Sequence, residues 1–258
     1  MSTIEPTAEH ARSGASQSAV MPQRSSLWLR ILLSVIAGMV DLTGFLSLGG
    51  LFTAHVTGNL VVIGALVVRG GRINPGQILA IPVFMIAVAA TWLIAKASGR
   101  RGSSLMRLLL LVQFLLITCL LVFSIIAKPS ADPHGLTATI AAMIAVSAMA
   151  CQYALLRLTL PVAPSTAVMT GNLTNAVLGL VDLSSRTQPL MESDSRRVRG
   201  AFHLLVGFFV GCVLATVALM YLGDWAWSLP AVLAAVAIGI AGWRGESVQL
   251  TAPRTTGI

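Results

Sequence analysis

Asp41 lies mid-way along an apolar run, Gly38-Met39-Val40-Asp41-Leu42-Thr43-Gly44. An ionised carboxylate at such a place costs roughly 2.5–3.5 kcal/mol on membrane-insertion scales. Residues that bear this cost face a polar interior, pair with a cation or relay protons. Two basic residues bear on these readings. Arg157 could form a structural ion pair with Asp41, or could snorkel to the interface instead. His55 titrates near neutral pH when unperturbed, so it could take part in proton transfer, or it could serve only as a hydrogen-bonded helix-end residue.

A second element is polar, apolar-flanked and duplicated. Thr57-Gly58-Asn59-Leu60 recurs as Thr170-Gly171-Asn172-Leu173, and Thr53-Ala54 aligns with Thr166-Ala167. A helix that starts or breaks at Thr-Gly-Asn leaves free N–H groups, which threonine and asparagine side chains can cap. Such an end suits an anionic group. Thr57, Gly58, Asn59, Thr170, Gly171 and Asn172 are therefore candidate solute-binding residues, the alternative being that they only cap and pack helices. Gln152, in Cys151-Gln152-Tyr153, stands roughly where Asp41 stands in the first half, after a short insertion. An amide there would make the site asymmetric, with Asp41 holding a proton and Gln152 donating hydrogen bonds.

The elements around these residues belong in a membrane. Hydrophobic residues make up 56% of the chain and charged residues 10%, against roughly 25% charged in soluble domains. The net charge of +8 comes from Arg and Lys placed between apolar runs and in the tails, which is how topology is written, and nothing points to nucleic acid. Cys119, Cys151 and Cys212 lie in apolar runs without a CxxC or Cys/His cluster. They read as small buried hydrophobes, and no metal or cofactor is expected.

Six runs are long enough to span about 30 Å of hydrocarbon: Leu29–Gly49, Ile78–Ala97, Leu105–Ala127, Leu136–Leu156, Ala201–Leu222 and Trp225–Trp243. Trp225, Trp227 and Trp243 read as interfacial anchors of the last run. Gly207 and Gly211 form a Gly-xxx-Gly pair suited to close helix contact, although glycine is common in membrane helices in any case. Residues 1–28 read as a disordered cytoplasmic tail without a cleaved signal, 29–128 as one half, 129–245 as a second half and 246–258 as another cytoplasmic tail.

The motif segments, Leu51–Val68 and Val162–Val181, could cross or could enter and turn back. If only the six long runs cross and the N-terminus is cytoplasmic, every basic residue except Arg69, Arg72 and Lys128 falls inside, which the positive-inside rule favours. Three crossings per half then turn the second half upside down, the inverted-repeat plan of many secondary transporters. The expected fold is an all-α integral membrane protein with six transmembrane helices, two broken or re-entrant motif helices and two related halves.

The segments Ala37-Gly38-Met39-Val40-Asp41-Leu42-Thr43-Gly44-Phe45 and Gly50-Leu51-Phe52-Thr53-Ala54-His55-Val56-Thr57-Gly58-Asn59-Leu60 resemble those of the YoaK-like family of small bacterial integral membrane proteins, a family of unknown function. So do Cys151–Arg157 and Pro164–Leu173. The resemblance covers roughly residues 28–243. It includes Asp41, His55, Thr57, Gly58, Asn59, Gln152, Arg157, Thr170, Gly171 and Asn172. Tyr153 departs from the family's usual Asn, which puts one polar contact in doubt. The resemblance implies a multi-pass protein of the bacterial cytoplasmic membrane and supplies no substrate.

The sequence points to a small secondary permease for a small polar solute, an anion among the candidates, with proton coupling through Asp41. It is expected to act in the lipid bilayer, with homo-oligomerisation open. No HExxH, GxSxG or paired-carboxylate pattern supports an enzyme. A non-transporting scaffold or accessory subunit is the alternative.

Overall fold

The computed structural model describes residues 23–71, 73–160, 169–185 and 192–250. The expectations for both distal tails, for Arg72 and for Thr166-Ala167 fall outside these residues, as does the side chain of Trp243. Among the described residues the fold is all-helical: α1 (Gln23–Ser47), α2 (Gly58–Arg69), α3 (Pro75–Ser98), α4 (Gly102–Ala127), α5 (Leu136–Thr159), α6 (Met169–Ser185), α7 (Glu192–Leu222) and α8 (Ser228–Leu250). Short 3-10 turns at Pro129–Ala131 and Gly223–Trp227 join α4 to α5 and α7 to α8.

Among the described residues five segments are long and apolar enough to cross a membrane: Leu27–Ser47, Pro75–Ser98, Gly102–Ala127, Leu136–Thr159 and Val198–Ala241. The last has 44 residues and contains most of α7, the 3-10 turn and much of α8. Gly223 breaks it with a φ of +54°, a backbone state that glycine adopts without penalty. By contrast, the 12 residues of α2 reach only about 18 Å.

In lipid, helices gain little from burying apolar side chains against each other, because acyl chains are as apolar as leucine. Close packing and interhelical hydrogen bonds must hold them together. The small residues show where this happens. In their most apolar stretches α5 is 72% buried and α1 67%, against 17% for α3 and 33% for α4, so α1 and α5 form the centre. Ala138, Ala141, Ala142, Ala145 and Ala148 are all buried along α5.

α1 packs chiefly against α7, and α3 and α4 against α5. The α1–α7 seam is built on glycine. A Cβ on Gly211 would sit on the Val35 carbonyl oxygen and 3.0 Å from the Met39 nitrogen. One on Gly207 would stand 3.1 Å from the Ile31 carbonyl oxygen, and one on Gly38 would meet the Phe208 carbonyl oxygen. The Gly-xxx-Gly pair is thus a backbone contact with α1. Ser34 Oγ closes the seam by donating to the Leu204 carbonyl at 2.6 Å. Contacts run from Arg30–Gly200 through Val35–Gly211 to Gly38–Cys212, so α1 and α7 run parallel.

Two polar bridges fix which helix ends meet. Asn74, at the head of α3, donates to the carbonyls of Leu48, just past α1, at 3.2 Å and of Pro133, just before α5, at 3.4 Å. Ser130, between α4 and α5, donates to the Asp224 carboxylate, between α7 and α8, at 2.9 Å. The C-terminal ends of α1, α4 and α7 and the N-terminal ends of α3, α5 and α8 therefore gather at one end of the bundle.

Two side-chain expectations need correction. Trp227 is only 1% exposed and packs in the core, while Trp225 is exposed as an anchor should be. The 3-10 turn rotates the two indoles to different faces. Cys151 is buried as expected, but Cys119 is exposed, because it points outward from α4.

Candidate functional site

The chain leaves α1 through two left-handed glycines, Gly49 and Gly50, each at φ +73°. These reverse the backbone so that residues 51–55 lie back along the last turns of α1. Gly44 makes room for them, since a Cβ there would come within 2.7 Å of Thr53 Cγ2. One turn earlier in the helix, Asp41 reaches the same strip. The spacing of Asp41 and Gly44 thus puts a carboxylate and a gap side by side under one loop, roughly 9 Å short of the helix end.

Asp41 is 4% exposed. Its Oδ1 accepts from the backbone N–H groups of Thr53 and Ala54, both at 2.8 Å. Longer contacts of 3.4 Å come from Thr53 Oγ1 and the His55 N–H. Successive N–H groups aimed at one oxygen form an anion-holding nest. The other oxygen, Oδ2, lies 2.7 Å from His55 Nδ1. Neither atom can face the other at that distance without a proton between them. The Phe208 ring packs on the imidazole in a T-shaped pair, with centroids 5.1 Å apart, and Cys212, one turn further along α7, donates to the Gly38 carbonyl.

The expected alternatives for Asp41 are now separated. Its side-chain partner is His55, a contact that is ionic only when the imidazole is protonated, and among the described residues no other ion-pair contact forms. Arg157 is exposed near the end of α5 and does not pair with Asp41.

Asn59 is fully buried. Its Nδ2 donates to the Phe52 carbonyl at 2.8 Å and its Oδ1 accepts from the Phe52 N–H at 2.9 Å. The amide imitates a paired strand and satisfies both backbone groups of one loop residue. Gly58 lies against the Phe52 ring, and Phe52 stacks on Phe45 at 4.7 Å. Thr57 is exposed and forms no side-chain cap, because its αR backbone at the N-cap turns the hydroxyl away from the first-turn N–H groups. The first motif therefore clamps the loop that carries His55.

Other polar side chains hold the same loop. Tyr153 donates its hydroxyl to the Ala54 carbonyl at 2.9 Å, so the position where an amide was expected still makes a polar contact. Gln77 donates to the Gly50 carbonyl at 3.2 Å. Backbone in an apolar medium must find such partners, and here they come from α1, α2, α3 and α5.

Gln152 is fully buried but is not among Asp41's partners. It accepts from Gln113 Nε2 at 2.7 Å and donates to the Leu33 carbonyl at 2.9 Å, tying α4, α5 and α1 together. In the second motif Asn172 is buried and donates weakly to Met169 Sδ at 3.9 Å. Thr170 is exposed and Gly171 half-buried. Among the described residues α2 packs chiefly on α3, and α6 on α7; the two motif helices are not a main packing pair.

The sequence reading missed Gln113, Asn74, Gln77 and the two backbone donors at Thr53 and Ala54. Gln113 had the same signal as Asp41, a polar side chain in the middle of an apolar run. Asn74 directly precedes Pro75, which marks a helix start. The backbone donors have no sequence signature.

Residues 29–240 match the family described as protein of unknown function (DUF1275). The chain is also similar to the UPF0700 transmembrane protein YoaK of Bacillus subtilis (strain 168), with 36% identity over 70 residues, 26% of this chain and 31% of that relative. The matched stretch thus spans under a third of the relative's length. No solved structure matches.

Proposed function

The chain belongs to that family of unknown function and is a multi-pass membrane protein, and on this premise we propose that it is a small secondary permease for a small polar solute, with Asp41 and His55 as its proton-holding pair. The observation that carries the reading is the 2.7 Å contact between Asp41 Oδ2 and His55 Nδ1. The carboxylate is buried and Oδ1 is fully committed to the loop, while His55 keeps 29% of its side chain exposed. A proton reaching the imidazole from outside has a short path to the carboxylate. The loop hydrogen-bonded to Asp41 would then respond to that proton, because a neutral acid accepts more weakly than a charged one.

The architecture of this reading has six crossings, with Val198–Ala241 contributing two. In its support, α1 ends where α3 begins. The 48–74 stretch between them therefore enters and leaves on one side. Exchanging α1 with α5, α3 with α7 and α4 with α8 maps the chief packing pairs onto each other, and each exchanged pair runs in opposite directions. These relations are what two inverted halves require. In a cysteine-free background, Gly71→Cys and Lys128→Cys should label from one side, and Arg101→Cys from the other, shared with the N-terminus. Labelling of Arg101→Cys from the side opposite the N-terminus would reject the six-crossing plan.

A non-transporting scaffold remains a second reading, favoured by the exposure of Thr170, Thr174 and Asn175 on α6. Lipid-facing polar side chains suit contact with another helix. Uptake separates the two readings. Proteoliposomes holding the protein should take up at least one class of small anionic or neutral polar solute saturably and faster than empty vesicles. Rates equal to those of empty vesicles across all classes would favour the scaffold.

A further inference from the structure

A proton lies between Asp41 Oδ2 and His55 Nδ1, which are 2.7 Å apart, and the groups around the pair decide which atom owns it. The other carboxylate oxygen, Oδ1, is met by donors: the Thr53 and Ala54 N–H groups at 2.8 Å, with Thr53 Oγ1 and the His55 N–H at 3.4 Å. Hydrogen bonds of this kind favour the charged carboxylate. A proton moved to Oδ2 would discharge it and weaken all of them. In the unloaded pair the negative charge therefore stays on Asp41, and the proton belongs to Nδ1.

The neighbouring titratable groups do not compete for that proton. Tyr153 on α5 and Cys212 on α7 lie close enough to Asp41 to sense its charge. The Tyr153 hydroxyl is spent on the Ala54 carbonyl, and the Cys212 thiol on the Gly38 carbonyl. α2 carries no ionisable side chain before Arg69 at its far end. Among the described residues no lysine or arginine pairs with the carboxylate. A neutral imidazole with its hydrogen on Nδ1 keeps a lone pair on Nε2. Nε2 makes no hydrogen bond among the described residues, and it is not one of the partnerless side-chain atoms that the fold seals off. The ring leaves 29% of its side chain exposed while Nδ1 faces a buried carboxylate. Nε2 is the open nitrogen.

We propose that Asp41 fixes the neutral His55 ring as its Nδ1–H tautomer, and that Nε2 is the port through which the pair takes up and releases its exchangeable proton. Uptake adds a hydrogen at Nε2 and makes the pair ionic; release restores the lone pair. An imidazolium gives up its Nδ1 hydrogen more readily than the neutral ring does, so uptake at the port starts the passage to Oδ2. The inference deepens the permease reading and rests on it for the use made of the proton. The assignment of the two nitrogens stands on the geometry of the pair.

The test is nitrogen NMR of the full chain in lipid nanodiscs, with isotope-labelled histidine, as the pH is lowered through the His55 transition. The other histidines are His10, His134 and His203. His10→Gln, His134→Gln and His203→Gln combined leave His55 as the one imidazole in view. Loss of the same signals in His55→Gln checks the assignment, and the combined variant suffices if His55→Gln does not fold. Before acidification Nδ1 should carry a hydrogen and Nε2 none, and acidification should shift Nε2 to its hydrogen-bearing position. A neutral ring with its hydrogen on Nε2 and a bare Nδ1 would overturn the proposal. So would an Nε2 signal that never gains a hydrogen. Neither reading needs a solute. The expected tautomer and uptake in a protein that moves no solute would keep the port and reject the permease. Solute-dependent proton entry with the hydrogen on Nε2 of the neutral ring would reject the port and keep the permease.

Discussion

Replacing Asp41 by alanine should lower the unfolding free energy by about 3–5 kcal/mol, the usual cost of breaking a buried ion pair from one side. Three groups lose their acceptor together. The Thr53 and Ala54 N–H groups and the His55 imidazole all face Asp41, and the covered strip offers no water to replace it. The loss should be local before it is global. Amide exchange at residues 52–56 should accelerate most, while the Ala-rich face of α5 stays protected. Asp41→Asn should cost less, about 1.5–3 kcal/mol, because an amide oxygen can still face the two N–H groups and only the charge and the contact with His55 are lost. Unfolding in a mixed-micelle titration measures the first quantity, and exchange mass spectrometry the second. If alanine at this position cost no more than a typical surface change, the carboxylate would not be what holds the loop.

Gly211→Leu should have an effect of similar size for a different reason. Its Cβ would overlap the Val35 carbonyl oxygen and approach the Met39 nitrogen at 3.0 Å. Both are backbone atoms, so no side-chain rotation relieves the clash and the helices must separate. Overpacking of this kind costs about 1–3 kcal/mol and occasionally more. Here separation also breaks the bond from Ser34 to Leu204 and pulls Phe208 from His55. The total should exceed about 3 kcal/mol on those grounds. Gly64→Leu and Gly239→Leu provide the comparison, because nothing lies within 4 Å of a Cβ at either site. Both should unfold like the wild type. A Gly211→Leu midpoint matching theirs would contradict the close seam.

The long helices were legible because lipid demands uniform apolar runs of a fixed length, and the chain has them. Their ends were less so. α7 begins at Glu192, ahead of the apolar run, since charged residues continue a helix beyond the hydrocarbon. Asp41 stood out because it is expensive where it lies. Its partner did not, since only the reversal at Gly49 and Gly50 brings His55 near. Thr-Gly-Asn was recognisable as a repeated element, but what Asn59 does was not. A buried amide can face a solute or a backbone, and the choice depends on where Phe52 returns after the loop. Trp227 was misplaced because hydropathy cannot see the 3-10 turn that points one indole in and its neighbour out.

The most direct measurement is solute-dependent proton entry into proteoliposomes loaded with a pH-sensitive dye, comparing wild type with Asp41→Asn at equal reconstitution. The permease account predicts acidification in wild type when a transported solute is added outside. It predicts none in Asp41→Asn, compared under conditions where the unfolding titration finds both proteins folded. Acidification of equal rate in both proteins would contradict a proton held by Asp41 and His55.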